Sequence, residues 1–143
     1  MENASKALLM AGGVLIGILV LSLIAYLFIY FGNQSQDFRD TMYQKQLTKY
    51  NAQYTVYDGR ENLTIYDVVT VINIAYENNI KYKDDTDYYV YVKVDNVEKA
   101  NPEQTGFTDS ITALIQKNRE SKFSCKVSFY DESGRVKKVE FNT

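Results

Sequence analysis

Residues 7–31 read ALLMAGGVLIGILVLSLIAYLFIYF, a run without one charged side chain in which Ser22 is the only clearly polar member. A helix rises about 1.5 Å per residue, so this stretch is long enough to cross a hydrocarbon core of roughly 30 Å with some tilt. It divides the chain into a tail (residues 1–6), a transmembrane helix (7–31), a juxtamembrane amphipathic helix (32–55) and a polar head (56–143). A secretory signal would carry a shorter apolar core and a small-x-small cleavage site. Here the candidate site near Ala25 has Leu23 at the −3 position, and Tyr26, Phe28, Tyr30 and Phe31 fill the end where aromatic rings favour the lipid–water interface. A retained anchor is the expectation. The flanking charges do not fix orientation, but a short head before a long apolar run favours the tail inside and the head domain outside, a single-pass arrangement in the cell membrane.

The helix surface carries a second signal. At about 100° per residue, Ala4, Ala7, Ala11, Ser22 and Ala25 fall along one side, and Gly13 and Gly17 form a GxxxG pair on another. Small residues let helix backbones approach closely in lipid, where apolar burial supplies no drive of its own. Membrane lipid and neighbouring helices, copies of this chain or other subunits, are therefore the expected partners.

Past Gly32-Asn33 the apolar period persists: Phe38, Met42, Tyr43, Leu47, Tyr50 and Tyr54 recur at helical spacing. No proline interrupts the path, and one glycine costs a helix only about 1 kcal/mol. One helix from residue 4 to about 53 follows, its second half packing on the head. Thr64 with Asp67 predicts a capping box at the start of a second helix, with Ile65, Val68, Val69, Ile72 and Tyr76 inward and Asn78-Asn79 as terminators. From Tyr88 to Asp95 the chain alternates as a strand, with Val90, Val92 and Val94 on one face and Tyr89, Tyr91 and Lys93 on the other. Thr108 is the expected cap of a third helix bearing Ile111, Leu114 and Ile115. A hairpin closes the sequence, with Phe123, Cys125, Val127 and Phe129 on one strand face and residues 136–141 as its partner. The expected fold class is α+β, about two helices on a three-stranded antiparallel sheet behind a long N-terminal helix.

Composition narrows function mainly by exclusion. The chain of 143 residues has a formal charge of −2, no histidine and one cysteine. The commonest general base and metal ligand is therefore absent, Cys125 has no histidine to activate it, and no intrachain disulfide can form. Lys137-Lys138 is too small a basic cluster for nucleic acid. Asp84-Asp85-Thr86-Asp87 lacks the spacing, glycine and distal glutamate of a calcium loop and reads as an acidic turn. No enzyme, cofactor, metal or small-molecule substrate is indicated. The 13 tyrosines stay open between contact surface and half-buried sheet positions, with Tyr54, Tyr57, Tyr89 and Tyr91 the candidates for contact.

An apolar N-terminal helix continuing as an amphipathic one, then a small α+β head ending in antiparallel strands, resembles type IV pilins and pseudopilins. The segment Tyr50-Asn51-Ala52-Gln53-Tyr54-Thr55-Val56-Tyr57-Asp58-Gly59 with its following capped helix is similar to small single-span proteins of tight-adherence (Flp-type) pilus systems. The resemblance is architectural. It implies a structural subunit of a bacterial surface filament or secretion apparatus, with Ala7, Ala11, Gly13, Gly17, Ser22 and Ala25 as packing positions and Glu2 and Lys6 as candidates for charge pairing between subunits. Prepilins carry a glycine before their cleavage point and an acid at the fifth mature residue; residues 1–6 hold no glycine, and a cut after Ala7 would place Gly12 there. The alternative is a membrane-tethered extracytoplasmic binding or sensory module whose helix is a simple anchor.

Overall fold

The computed structural model describes residues 1–143. Helix α1 (Glu2–Thr55) is continuous, with no break at Gly32, and the chain divides into two compact units, Met1–Lys45 and Gln46–Thr143. The first unit is helix alone, and its side chains are exposed throughout except for a half-buried Gly12. Phe38, Met42 and Tyr43, expected to pack on the head, are exposed, whereas Leu47, Tyr50 and Asn51 are partly covered and Tyr54 is fully buried. The head thus begins at Gln46 and uses the last turns of α1 as one of its helices.

In that second unit α2 (Ile65–Lys81) starts on the predicted capping box. Asp67 donates its N–H to Thr64 Oγ1 at 3.4 Å while the Thr64 N–H and hydroxyl donate to Asp67 Oδ2 at 2.8 and 2.7 Å. Ile65, Val68, Val71, Ile72 and Ala75 form its buried side. Asn78 and Asn79 do not end the helix. Asn79 is buried and takes the place of a backbone edge: its Nδ2 donates to the carbonyls of Val90 and Ala100 at 3.0 and 2.9 Å, and its Oδ1 accepts the Val90 N–H at 2.9 Å. A 3₁₀ turn (Thr86–Tyr88) occupies the start of the expected strand, which is shortened to β1 (Tyr91–Val94).

The sheet is four-stranded and mixed, ordered β2-β1-β4-β3, not three-stranded and antiparallel. The added strand, β2 (Val97–Glu98), pairs with β1 across a two-residue turn at Asp95-Asn96, both of which have left-handed φ (46° and 68°). That turn geometry joins antiparallel strands and suits Asp and Asn. The reversal explains the topology. Helix α3 (Phe107–Lys117) carries the chain from β2 at one edge to β3 (Ser124–Phe129) at the other in the same direction, as helical crossovers do. A tight hairpin at left-handed Gly134 then lays β4 (Val136–Asn142) antiparallel to β3, and hence parallel to β1.

Two finer expectations also change. The N-cap of α3 is Gly106, in the left-handed region, and not Thr108; Phe107 stacks on Tyr76 of α2 at 3.7 Å, fixing the helix pair by an aromatic contact instead of a side-chain cap. Phe129 leaves the inward row because the register shifts between Ser128 and Phe129, which turns its ring to solvent. The remaining inward residues, Val90, Val92, Val94, Phe123, Cys125, Val127, Val136, Val139 and Phe141, close one core with Tyr54, Leu63 and the buried sides of α2 and α3. The outer edge of β3 is covered: Gly59 donates to the Cys125 carbonyl, Cys125 to Arg60, and Val127 to Asp58 Oδ1. Covering an edge in this way removes a template for unwanted strand pairing.

Candidate functional site

In the first unit the candidate surface is the helix itself. From Leu8 to Phe31 the large apolar side chains stand exposed, and leaving each such side chain in water forgoes about 1.5–3 kcal/mol. One helix of the chain, near the N-terminus, is long and apolar enough to span a membrane. A Cβ built on Gly12, Gly13 or Gly17 meets nothing within 4 Å, so the glycine notches are open. Ala7, Ala11, Ser22 and Ala25 are exposed beside them. Tyr26 stacks on Tyr30 with centroids 6.2 Å apart, and Tyr30 meets Phe31 edge-on at 5.9 Å, an aromatic group of the kind found at a lipid–water boundary. Glu2 and Lys6 pair with each other at 3.1 Å across one helical turn.

In the second unit the four candidate tyrosines separate. Tyr54 lies inside the core, so its ring is part of the fold and presents no surface. Its hydroxyl has no partner, and burial pushes its ionisation well above the usual phenol range. Tyr57, Tyr89 and Tyr91 are half-buried; Tyr89 donates to the Lys83 carbonyl at 2.9 Å, and the Tyr89 and Tyr91 rings lie 6.2 Å apart.

The densest aromatic arrangement centres on Arg135, which sequence reasoning passed over. Its guanidinium lies 4.1 Å from the centroid of Tyr50, 4.8 Å from Tyr88 and 5.7 Å from Tyr82, while Tyr82 and Tyr88 stack on each other at 4.9 Å. A planar cation over aromatic faces contributes about 0.5–2 kcal/mol per contact. Around it Tyr50 donates to Asn78 Oδ1 at 3.1 Å, Asn78 Nδ2 donates to the Tyr88 carbonyl at 2.8 Å, and Asn51 bridges Gly134 and Val136. The cluster fastens the end of α1 to α2, the 3₁₀ turn and the β3–β4 hairpin. Arg135 Nε is buried and makes no hydrogen bond, so the guanidinium's contacts here are chiefly with the aromatic faces. The only cue in the sequence is an arginine following a Ser-Gly turn; its aromatic partners lie far from it along the chain.

The remaining chemistry is quiet. Burial pushes the Cys125 thiol up to about 12, so it stays protonated at neutral pH. In the acidic turn Asp85 is occupied as the cap of the 3₁₀ turn, accepting from the Asp87 N–H at 3.2 Å. No group of three or more side chains is gathered that could hold a metal ion. A groove of about 260 Å³ lies between the β1–β2 hairpin and α3, floored by Val94, Val97 and Leu114 and rimmed by Lys99 and Lys117. On the sheet face opposite the core, the register sets Glu98, Lys93, Glu140 and Lys126 in one row of alternating charge and Tyr91, Lys138 and Ser128 in the next. Comparison with family models, curated proteins and solved structures gave no match.

Proposed function

We propose that this chain is a structural, single-span membrane protein, a pilin-like component of a bacterial surface filament or secretion apparatus that assembles through its N-terminal helix. The observation that carries the reading is the exposed apolar surface of α1 from Leu8 to Phe31, interrupted by open notches at Gly13 and Gly17. Lipid satisfies the apolar side chains; a neighbouring helix satisfies the notches, because close backbone approach is what small residues permit there. The small sheet domain behind the helix agrees with the same architecture. In this reading the head lies outside the cell, the span holds copies or related subunits side by side, and Arg135 with its tyrosines stiffens the root of the head.

The test is crosslinking of the full chain in native membranes. Gly17→Ile fills a notch with a branched side chain and reduces helix–helix crosslinks about tenfold, whereas Leu19→Ile leaves them unchanged. Undiminished crosslinking of Gly17→Ile overturns the proposal. A complete core within residues 54–141 also favours a second reading, a tethered binding module. Replacing the span by an unrelated apolar sequence separates the two: the tethered module keeps its activity and the filament subunit does not.

A further inference from the structure

Two open apolar features lie at opposite ends of the sheet. One is the groove of about 260 Å³ between the β1–β2 hairpin and α3, where Val97 stands exposed beside a floor of Val94 and Leu114. Sites for drug-sized ligands run to roughly 300–1,000 Å³, so a groove of this size suits one or two side chains. Of its charged lining residues, Asp95 accepts from the N–H and hydroxyl of Thr143 at 3.0 and 3.2 Å, whereas Lys99 and Lys117 make no ion pair. The other feature is Phe129, whose ring the register shift after Ser128 turns to solvent. Re-aiming a side chain in this way is what a bulge does. Asp131 and Glu132 follow at the hairpin tip, exposed and without ion pairs, while the next cations, Arg135 and Lys137, lie over tyrosine rings. The tip is held in shape by the Tyr130 N–H donating to the Arg135 carbonyl at 2.8 Å and the Gly134 N–H donating to the Tyr130 carbonyl at 2.9 Å.

A chain cannot fill its own groove. Val94 is paired with Phe141 near the end of β4 and Phe129 with Val136 at its start, roughly 17 Å apart along the strand. We propose that the groove of one copy receives Phe129 of a second copy, with Asp131 and Glu132 of the incoming tip set against Lys99 and Lys117 on the rim. The inference rests on the assembly reading above and names the head surface through which copies meet. An aromatic ring among apolar side chains supplies the affinity of such a contact. The rim charges add little affinity and instead fix which way the tip enters. Knob and groove are different patches of one chain, so the contact is heterologous. A row of copies joined through it keeps a free groove at one end and a free Phe129 at the other, and can grow at both.

The test mixes isotopically light and heavy full-length protein in liposomes, with the photoreactive benzoylphenylalanine in place of Phe129 in the light copy. Mass spectrometry after irradiation is expected to find mixed-label peptides joining position 129 to the segments that hold Val97 or Leu114. A smaller probe checks the same contact without a bulky ring: Asp131→Cys in one copy and Lys117→Cys in the other form a mixed-label disulfide on mild oxidation, while the native Cys125 is buried. Lys99→Glu with Lys117→Glu in the heavy copy lowers the photocrosslink yield about tenfold, as expected for opposed like charges. Asp131→Lys with Glu132→Lys in the light copy restores it. Circular dichroism of each variant checks that the fold persists. Same-label product alone with both probes, attachment to other segments, or yields indifferent to charge reversal each overturn the inference. If crosslinks within the span survive in that case, helix assembly stands and only the head contact falls; if both vanish, the assembly reading falls too.

Discussion

Asn79 shows how one side chain can set a local topology. It supplies a donor to two carbonyls and an acceptor to one N–H, holding Val90 and Ala100 on either side of the β1–β2 ladder where no strand continues. Asn79→Ala leaves those buried groups unpaired, each at about 1–3 kcal/mol, and is expected to lower stability by about 3 kcal/mol in urea titration. Asn79→Asp keeps the acceptor but sets a carboxylate against two carbonyl oxygens, so it does not rescue. A loss below about 1 kcal/mol for the alanine variant would show that water or backbone movement satisfies these groups instead. The sequence pointed elsewhere, because asparagine is common at helix ends and nothing local marks it as a bridge. Arg135 was hidden for the same reason: its partners Tyr50, Tyr82 and Tyr88 come together only in the folded chain.

Elements whose signals are local were legible, and those fixed by distant pairing were not. The capping box at Thr64 and Asp67, the inward valines of β1 and the β3–β4 hairpin all follow from spacings of a few residues. The two-residue strand β2 is too short for periodicity, yet it reverses the chain and makes β1 and β4 parallel. Only the Asp95-Asn96 pair, suited to left-handed turn positions, announced it. At this scale the cap gives a measurable pH dependence. Hydrogen bonds from the Thr64 side chain and backbone hold the Asp67 carboxyl below its ordinary value of 3.8. The folded protein thus binds fewer protons there than the unfolded chain, so the cap's contribution is full above about pH 4 and is lost as pH falls through the depressed value. Thr64→Ala is expected to cost about 1 kcal/mol at neutral pH, about 4–8 °C in Tm for a domain of this size. It also flattens the acid limb of the stability profile, since the hydroxyl is the largest cause of the shift. An acid limb identical to that of the parent protein would mean that the backbone N–H alone depresses the carboxyl.

For the whole molecule the decisive boundary is not where the apolar run ends but where the head begins. Residues 46–55 are continuous with α1 yet belong to the second compact unit. Tyr54 is fully buried, Tyr50 lies under Arg135, and Asn51 accepts from the Val136 N–H at 3.0 Å and donates to the Gly134 carbonyl at 2.8 Å. Helical periodicity alone runs through this junction without a mark, because the chain keeps one conformation while the surroundings of its apolar stripe change. Two truncations therefore behave differently. A fragment of residues 46–143 retains every member of the core and is expected to unfold cooperatively in denaturant without detergent. A fragment of residues 56–143 loses Tyr54 from the core, for which large aromatic deletions cost about 3–5 kcal/mol, and loses the Asn51 hydrogen bonds and the Tyr50–Arg135 contact as well. Against a total of roughly 5–10 kcal/mol for so small a domain, that loss removes most of the folded population. The readout is hydrogen exchange of β4, where Val136, Val139 and Phe141 sit at the centre of the sheet. Protection is expected in the longer fragment and largely abolished in the shorter. Equal protection in both would mean that the end of α1 is dispensable packing, and that the helix joins the head only as a tether.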